Sequence, residues 1–255
     1  MMLVVDIGNT RTKWARVNAD GTLQDVEVCF NEDIETSSLK RLAKAAQKIT
    51  VANVAGEEMA ERLHKLAPQN VPVAFMTAQA QACGVTNRYQ QSAALGIDRW
   101  AAIIAGWQMN KQPSIVVCAG TAITIDALAR DGATKNGMFL GGTIMPGMRQ
   151  LFESLGRTAA QLKPTSEGKM IVFPTSTQDA VQSGCMNAIV GAILLMMQQL
   201  EKHSAYLPKL IVSGGDANKI ADVLKPHLKR VIIAENLVLQ GLVLLESELS
   251  QKEAV

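Results

Sequence analysis

One pattern occurs twice in this chain and restricts its fold more than any other. Three short strands form a meander with a glycine turn between the first two, and alternating helices and strands follow. The first copy opens with the strand Leu3–Asp6, turns at "DIGNT" and resumes as "TKWARV". "NADG" then turns into "TLQDVEVCF". The second copy opens with "SIVVCAGTAITIDAL", a strand, a Gly-Thr turn and a strand, and "DGATKNG" leads into "MFLGGTIM".

Behind the first meander, "DIETSSLKRLAKAAQKI" has a helical period, with Leu39, Leu42, Ala43, Ala46 and Ile49 on one face. A strand "TVANVA", a helix "GEEMAERLHKLA" and a strand "VPVAFMT" come next. After a polar loop, "GIDRWAAIIAGWQM" reads as a helix beginning near Ile97. Behind the second meander come helices at "GMRQLFESLGRTAAQL" and "TQDAVQSGCMNAIVGAILLMMQQLEK". The strand "KLIVSGG", the helix "ANKIADVLK", the strand "RVIIA" and a last helix near "LVLQGLVLLESEL" complete the chain. The copies share architecture and little sequence. Polarity rises and a proline interrupts the helix in "MNKQPS", which predicts domains 1–112 and 113–255.

Composition narrows the class. A length of 255 residues allows one large domain or two of ordinary size, and 48% hydrophobic with 19% charged residues suits a globular enzyme. A net charge of +2 without a basic block, and only 4% aromatics, argue against a nucleic-acid surface. Cys29, Cys83, Cys118 and Cys185 form no CxxC pair, and His64, His203 and His227 have no ligand spacing. A structural zinc site is therefore not expected, and isolated thiols fit a reducing, cytoplasmic compartment. No signal peptide is apparent, and "AIVGAILLMM" is short for a membrane span, so it reads as the core of a helix and no membrane partner is expected.

The chemistry concentrates at the glycine turns. A glycine lets backbone N–H groups approach an anion without an intervening Cβ. Asn9, Thr10 and Thr121 add side-chain donors, and Lys13 adds positive charge for phosphate oxygens. Asp6 makes no sense against bare phosphates but does with Mg2+ between, directly or through water. Two such loops facing each other across a cleft would grip the phosphate tail of ATP. A third glycine turn, "VSGGDA", lies between a strand and a helix, where free N–H groups leave room for adenine or ribose.

Asp98 falls in the first turn of a helix, where the dipole favours its ionised form and a nearby alcohol would find a base. Its plain alternative is a charge that only stabilises the helix. Arg99 offers a fork for a carboxylate, against a surface ion pair. Tyr89 offers a hydroxyl, against simple packing, and Thr177 either meets a substrate or caps its helix. Asp126, at the end of the second hairpin, is ambiguous and stays off the catalytic list.

The segments "DIGNTRTK", "NRYQQSAALGIDRW", "GTAITID", "GGTIMPG", "PTSTQDAVQSG" and "SGGDA", in this order, resemble type III pantothenate kinase. This is the Baf-related family within the sugar kinase, actin and heat-shock ATPase superfamily. With "NLVLQGL" in the final helix, the resemblance covers nearly the whole chain. It implies an α/β fold of two ribonuclease H-like domains, each a mixed five-stranded sheet with flanking helices, and a cleft between them. It implies ATP-dependent phosphorylation of pantothenate to 4′-phosphopantothenate, the first step of coenzyme A biosynthesis, with Asp98 as general base.

The resemblance assigns Asp6, Ile7, Gly8, Asn9, Thr10, Arg11, Thr12, Lys13 and Thr121 to ATP. Tyr89, Gly96, Ile97, Asp98, Arg99 and Thr177 fall to pantothenate. It also implies Mg2+ with ATP, a homodimer, and a monovalent cation, K+ or NH4+. Many members carry an aspartate two residues before the second loop's glycine as a cation contact; here that residue is Cys118, so the contact is not carried over. The rival readings are a sugar kinase of the same superfamily and a nucleotide-binding regulatory protein without turnover. The zinc-binding cysteine cluster frequent in one sugar-kinase group is missing here, and Asp98 with Lys13 favours an active enzyme.

Overall fold

The computed structural model describes residues 1–158, 168–228 and 230–253. Two compact units emerge. The first comprises Met1–Lys111, Asp131–Leu140 and Asn236–Val255, and the second Gln112–Arg130 and Gly141–Glu235.

In the first unit, β1 (Met2–Ile7), β2 (Arg11–Val17) and β3 (Leu23–Phe30) form the antiparallel meander expected from the glycine turns. Then come α1 (Leu39–Ala45), β4 (Lys48–Asn53), α2 (Glu57–Leu66) and β5 (Val73–Phe75), giving a five-stranded sheet ordered β3-β2-β1-β4-β5. β1 is central and covered on both sides, which explains its unbroken apolar run rather than an alternating one. Leu3, Val5, Ile7 and Trp14 pack on Leu39, Leu42 and Ala43 of α1 and on Met59, Leu63 and Leu66 of α2. At about 25 cal/mol per Å2 of apolar area, each such side chain contributes roughly 1.5–3 kcal/mol.

The other face is covered by α3 (Ile97–Asn110) and α7 (Leu237–Glu253), with α7 packed on β1 and β4 and α3 on α7. These two helices approach so closely that a Cβ at Gly241 would lie 2.0 Å from the Ala101 carbonyl oxygen. Buried Glu246 of α7 anchors the helix to β4: it accepts from Thr50 Oγ1 at 2.9 Å and from Lys48 Nζ, and from Ser250 Oγ at 3.0 Å.

The structure corrects three expectations. α1 stops at Ala45, and Ile49 enters the core from β4, because parallel pairing with β1 captures Lys48 onward. The polar loop before α3 contains β6 (Gln81–Ala82) and β7 (Val85–Asn87), joined at Cys83 (φ 48°) and Gly84 (φ 72°). Residues 131–140 and the last helix, placed by the predicted boundary with the second half, pack within the first unit.

In the second unit, β8 (Ser114–Ala119) pairs antiparallel with β9 (Ala122–Arg130), and β11 (Lys209–Ser213) runs parallel to both β8 and β12 (Val231–Ile233). With β10 (Gly137–Pro146) the order is β12-β11-β8-β9-β10, so the meander-plus-parallel pattern repeats. β10 is shared: its first residues belong to the first unit, where Gly137–Phe139 pair parallel with Val85–Asn87. The sheet is thereby longer than the five strands expected.

α4 (Met148–Thr158) matches the expected helix, whose remainder to Leu162 lies outside the described residues. α5 (Thr177–Ser204) packs on β8 and β9 and on α4 and α6 (Ala217–Leu224). Its length and apolarity would suffice to cross a membrane, contrary to the expectation from "AIVGAILLMM". Ile189, Ile193, Met197 and Leu200 are buried within the unit, however, so one face of α5 serves its core.

Candidate active site

The loop "DIGNT" turns between β1 and β2, and its geometry follows from a few bonds. The Gly8 N–H donates to the Arg11 carbonyl at 3.0 Å, and a Cβ at Gly8 would meet that same oxygen at 3.3 Å, so the turn is tight against any larger residue. Asn31, just past β3, donates through Nδ2 to the Gly8 carbonyl at 2.8 Å. It accepts from Thr12 Oγ1 at 2.9 Å, and its own N–H donates to the Thr10 carbonyl at 3.1 Å. Ile7 and Thr12 are fully buried and turn their side chains inward, whereas Asn9, Thr10 and Arg11 are exposed. The Arg11 guanidinium lies over the Phe30 ring, 4.8 Å from its centroid.

Asp6 and Lys13 are register partners across β1 and β2. Lys13 Nζ donates to Asn236 Oδ1 at 3.1 Å. Asn236 adopts φ 54°, a left-handed conformation that asparagine tolerates, immediately before α7. Asp6 keeps part of its surface accessible yet lies deep among protein atoms. Burial, then the neighbouring Asp98 carboxylate, push its pKa up to about 7 against the opposing pull of Lys13.

Asp98 sits where the sequence put it, in the first turn of α3. Its Oδ1 accepts from the Arg99 N–H at 2.8 Å. A Cβ at Gly96 would fall 2.6 Å from that oxygen, so glycine at the N-cap leaves the carboxylate its position. Ile97, the first residue of α3, is buried.

Arg99 is buried, which removes the surface ion-pair reading. Its Nη1 lies 3.4 Å from Tyr89 Oη and its guanidinium 5.8 Å from the Tyr89 ring centroid. Tyr89 stacks on Phe139 of β10 at 6.0 Å. Asn87 Oδ1 accepts from the Tyr89 N–H at 3.0 Å and so shapes this loop.

In the second unit the three glycine segments meet. Gly120 and Thr121 form the exposed turn between β8 and β9. From "GGTIMPG", the Gly147 N–H donates to the Thr121 carbonyl at 2.9 Å, and a Cβ there would lie 2.4 Å from the Gly120 oxygen. From "SGGDA", Gly214 (φ 105°) presses on Ala119, where a Cβ would lie 2.3 Å from the carbonyl oxygen. These backbones pack so closely that no side chain fits between them, which is the physical requirement for glycine at both places.

Cys118 is half-buried on β8, and Asp126 is buried on β9. Thr177 is the exposed first residue of α5. Ser176 is the cap, accepting from the Asp179 N–H at 3.2 Å, so Thr177 is free of that duty. Sequence reasoning missed Asn31 and Asn236. Both lie far along the chain from the residues they brace, and neither carries a local signal.

Among the described residues, no group of three His, Cys, Asp or Glu side chains could hold a metal ion by itself. The donor set near Asp6 suits a hard cation bound by one or two carboxylates and completed by substrate oxygens.

Residues 2–199 match the family model for type III pantothenate kinase. A type III pantothenate kinase from Methylobacillus flagellatus is 40% identical over 245 residues, covering 94% of this chain and 96% of its own length. Among solved structures, a conserved protein from Campylobacter jejuni described as a Baf family transcriptional activator superposes with a TM-score of 0.62 at 24% identity. It covers 99% of this chain and all of its own. A Sinorhizobium meliloti protein described as a 2-dehydro-3-deoxygalactonokinase gives 0.59 at 11% identity, with full coverage of both chains. These two likenesses show the shared two-domain, ribonuclease H-like fold, and the sequence relatives show the family. The chain belongs to the type III pantothenate kinases.

Proposed function

We propose that this chain transfers the γ-phosphoryl group of ATP to the primary hydroxyl of pantothenate, giving 4′-phosphopantothenate, the first step of coenzyme A biosynthesis. The observation that carries the residue-level reading is the grouping of Asp6, Lys13 and Asp98 within one unit, close enough for both Asp98 and Lys13 to shift the titration of Asp6.

Phosphoryl transfer needs positioning, charge neutralisation and an acceptor for the hydroxyl proton. Asp6 through Lys13 of the first unit, and Thr121 of the second, hold the ATP phosphates. Gly8, Asn9 and Thr10 offer main-chain or side-chain donors, while Ile7 and Thr12 contribute through the backbone. Lys13 supplies positive charge. Asp6 would hold Mg2+, directly or through water, and that ion would neutralise phosphate charge. A carboxyl whose pKa is raised by burial, and further by a neighbouring carboxylate, is a setting in which a divalent cation is welcome. Asp98 accepts the proton as the alcohol attacks. Arg99, oriented by Tyr89, pairs with the carboxylate of pantothenate. Gly96, Ile97 and Thr177 complete the acceptor site.

We further assign the chain to the cytoplasm and to a homodimer, which sedimentation at micromolar concentration tests. The monovalent cation of the family is the open element, since Cys118 replaces its aspartate. Activity compared in sodium, potassium and ammonium buffers decides it. A coupled ADP-release assay with pantothenate, with sugars and with no acceptor tests the main reading. ADP release dependent on pantothenate supports it. Release dependent on a sugar, or none above the acceptor-free rate, overturns it.

A further inference from the structure

We infer that Asn31 is a positioning residue for the nucleotide: it sets the shape of the Gly8–Thr12 loop so that the loop's donors meet the phosphates. The inference rests on the reading of that loop as the phosphate site. Asn31 ties together three points of the loop, through Nδ2 to the Gly8 carbonyl (2.8 Å), Oδ1 from Thr12 Oγ1 (2.9 Å) and N–H to the Thr10 carbonyl (3.1 Å).

The orientation of the amide is forced by chemistry. A carbonyl can only accept, so the group facing Gly8 must be the NH2, and Oδ1 must then face the Thr12 hydroxyl. Thr12 is fully buried, so its hydroxyl has no water to fall back on, and its bond to Asn31 is costly to lose. A single 3-10 turn, Asn31–Asp33, starts at this residue and fixes its backbone beside the loop. Asn9, Thr10 and Arg11 of the same loop are exposed, so the loop stays accessible to a ligand while Asn31 braces it from the end of β3.

The test is nucleotide binding by calorimetry with a non-hydrolysable ATP analogue and Mg2+, on the full chain and on N31A and N31D, alongside steady-state KM values for both substrates. N31A removes both side-chain bonds. N31D keeps the shape and the acceptor for Thr12 but sets a carboxylate oxygen against the Gly8 carbonyl.

Loss of one or two partly buried hydrogen bonds predicts about tenfold weaker analogue binding and a similar rise in KM for ATP, with KM for pantothenate within about twofold of wild type. For N31D the ratio to wild type persists at high salt, where a through-space charge effect would fade. Analogue affinity within about twofold of wild type in folded N31A overturns the inference; if N31A does not fold, the same result in N31D does so. Equal shifts in both KM values, or an N31D defect that disappears at high salt, overturn it as well. A wild-type chain that binds no nucleotide removes the phosphate-loop reading and this inference together. A wild type that binds, with variants that bind equally, removes the inference alone.

Discussion

Asp6 of β1 and Lys13 of β2 stand directly opposite each other, and the Asp98 carboxylate of α3 acts on the same acid from outside the sheet. The lysine lowers the acid's pKa, while burial and Asp98 raise it, and the raising side wins, leaving Asp6 at about 7.

The sign of the resulting pH dependence follows. The folded-state pKa of Asp6 lies above its ordinary value of 3.8, so its contribution to stability is fully present below that value and is lost as pH rises through about 7. Ligand-free wild type is therefore expected to melt at lower temperature at pH 8 than at pH 6. Asp6→Asn should flatten that difference and gain on the order of 1–3 kcal/mol at pH 8. Thermal melts of both proteins at the two pH values check this; parallel profiles count against it.

Asp98→Asn preserves volume and removes the proposed base. Turnover should fall by roughly 10²–10⁴-fold while analogue binding changes little. Unchanged turnover in the coupled assay would remove Asp98 as the proton acceptor.

Gly96→Ala tests the same group without touching it. The added Cβ would lie 2.6 Å from Asp98 Oδ1, so the carboxylate must swing aside, while the backbone conformation at Gly96 suits any residue. A displacement of about 1 Å predicts up to roughly 100-fold lower kcat with little change in melting temperature. A variant that melts normally and turns over at the wild-type rate refutes the placement of Asp98.

Two helical glycines should respond with opposite signs. Gly191 of α5 has open space where a Cβ would go, so Gly191→Ala should stabilise by about 0.4–1 kcal/mol. Gly241 of α7 would drive its Cβ to 2.0 Å from the Ala101 oxygen, so Gly241→Ala must push α3 from α7 and cost about 1–3 kcal/mol or more. Denaturant midpoints for the pair decide the matter.

Local pattern alone specified a good deal of this protein. The two meanders, the start of α3 at Ile97 with Asp98 in its first turn, the apolar run of α5 and the glycine at each turn all follow from periodicity and turn chemistry, which act over a few residues. Tertiary structure decided what depends on distant partners. It placed α7 on β1 and β4 rather than with the second half, moved Ile49 from a helix face to a strand, and paired β7 with β10. It also brought Asn31 to Gly8 across 23 residues of chain, and Asn236 to Lys13 across 223. The physical reason is that burial and hydrogen bonding are settled between surfaces, and an asparagine's partner lies across a gap that no local period encodes.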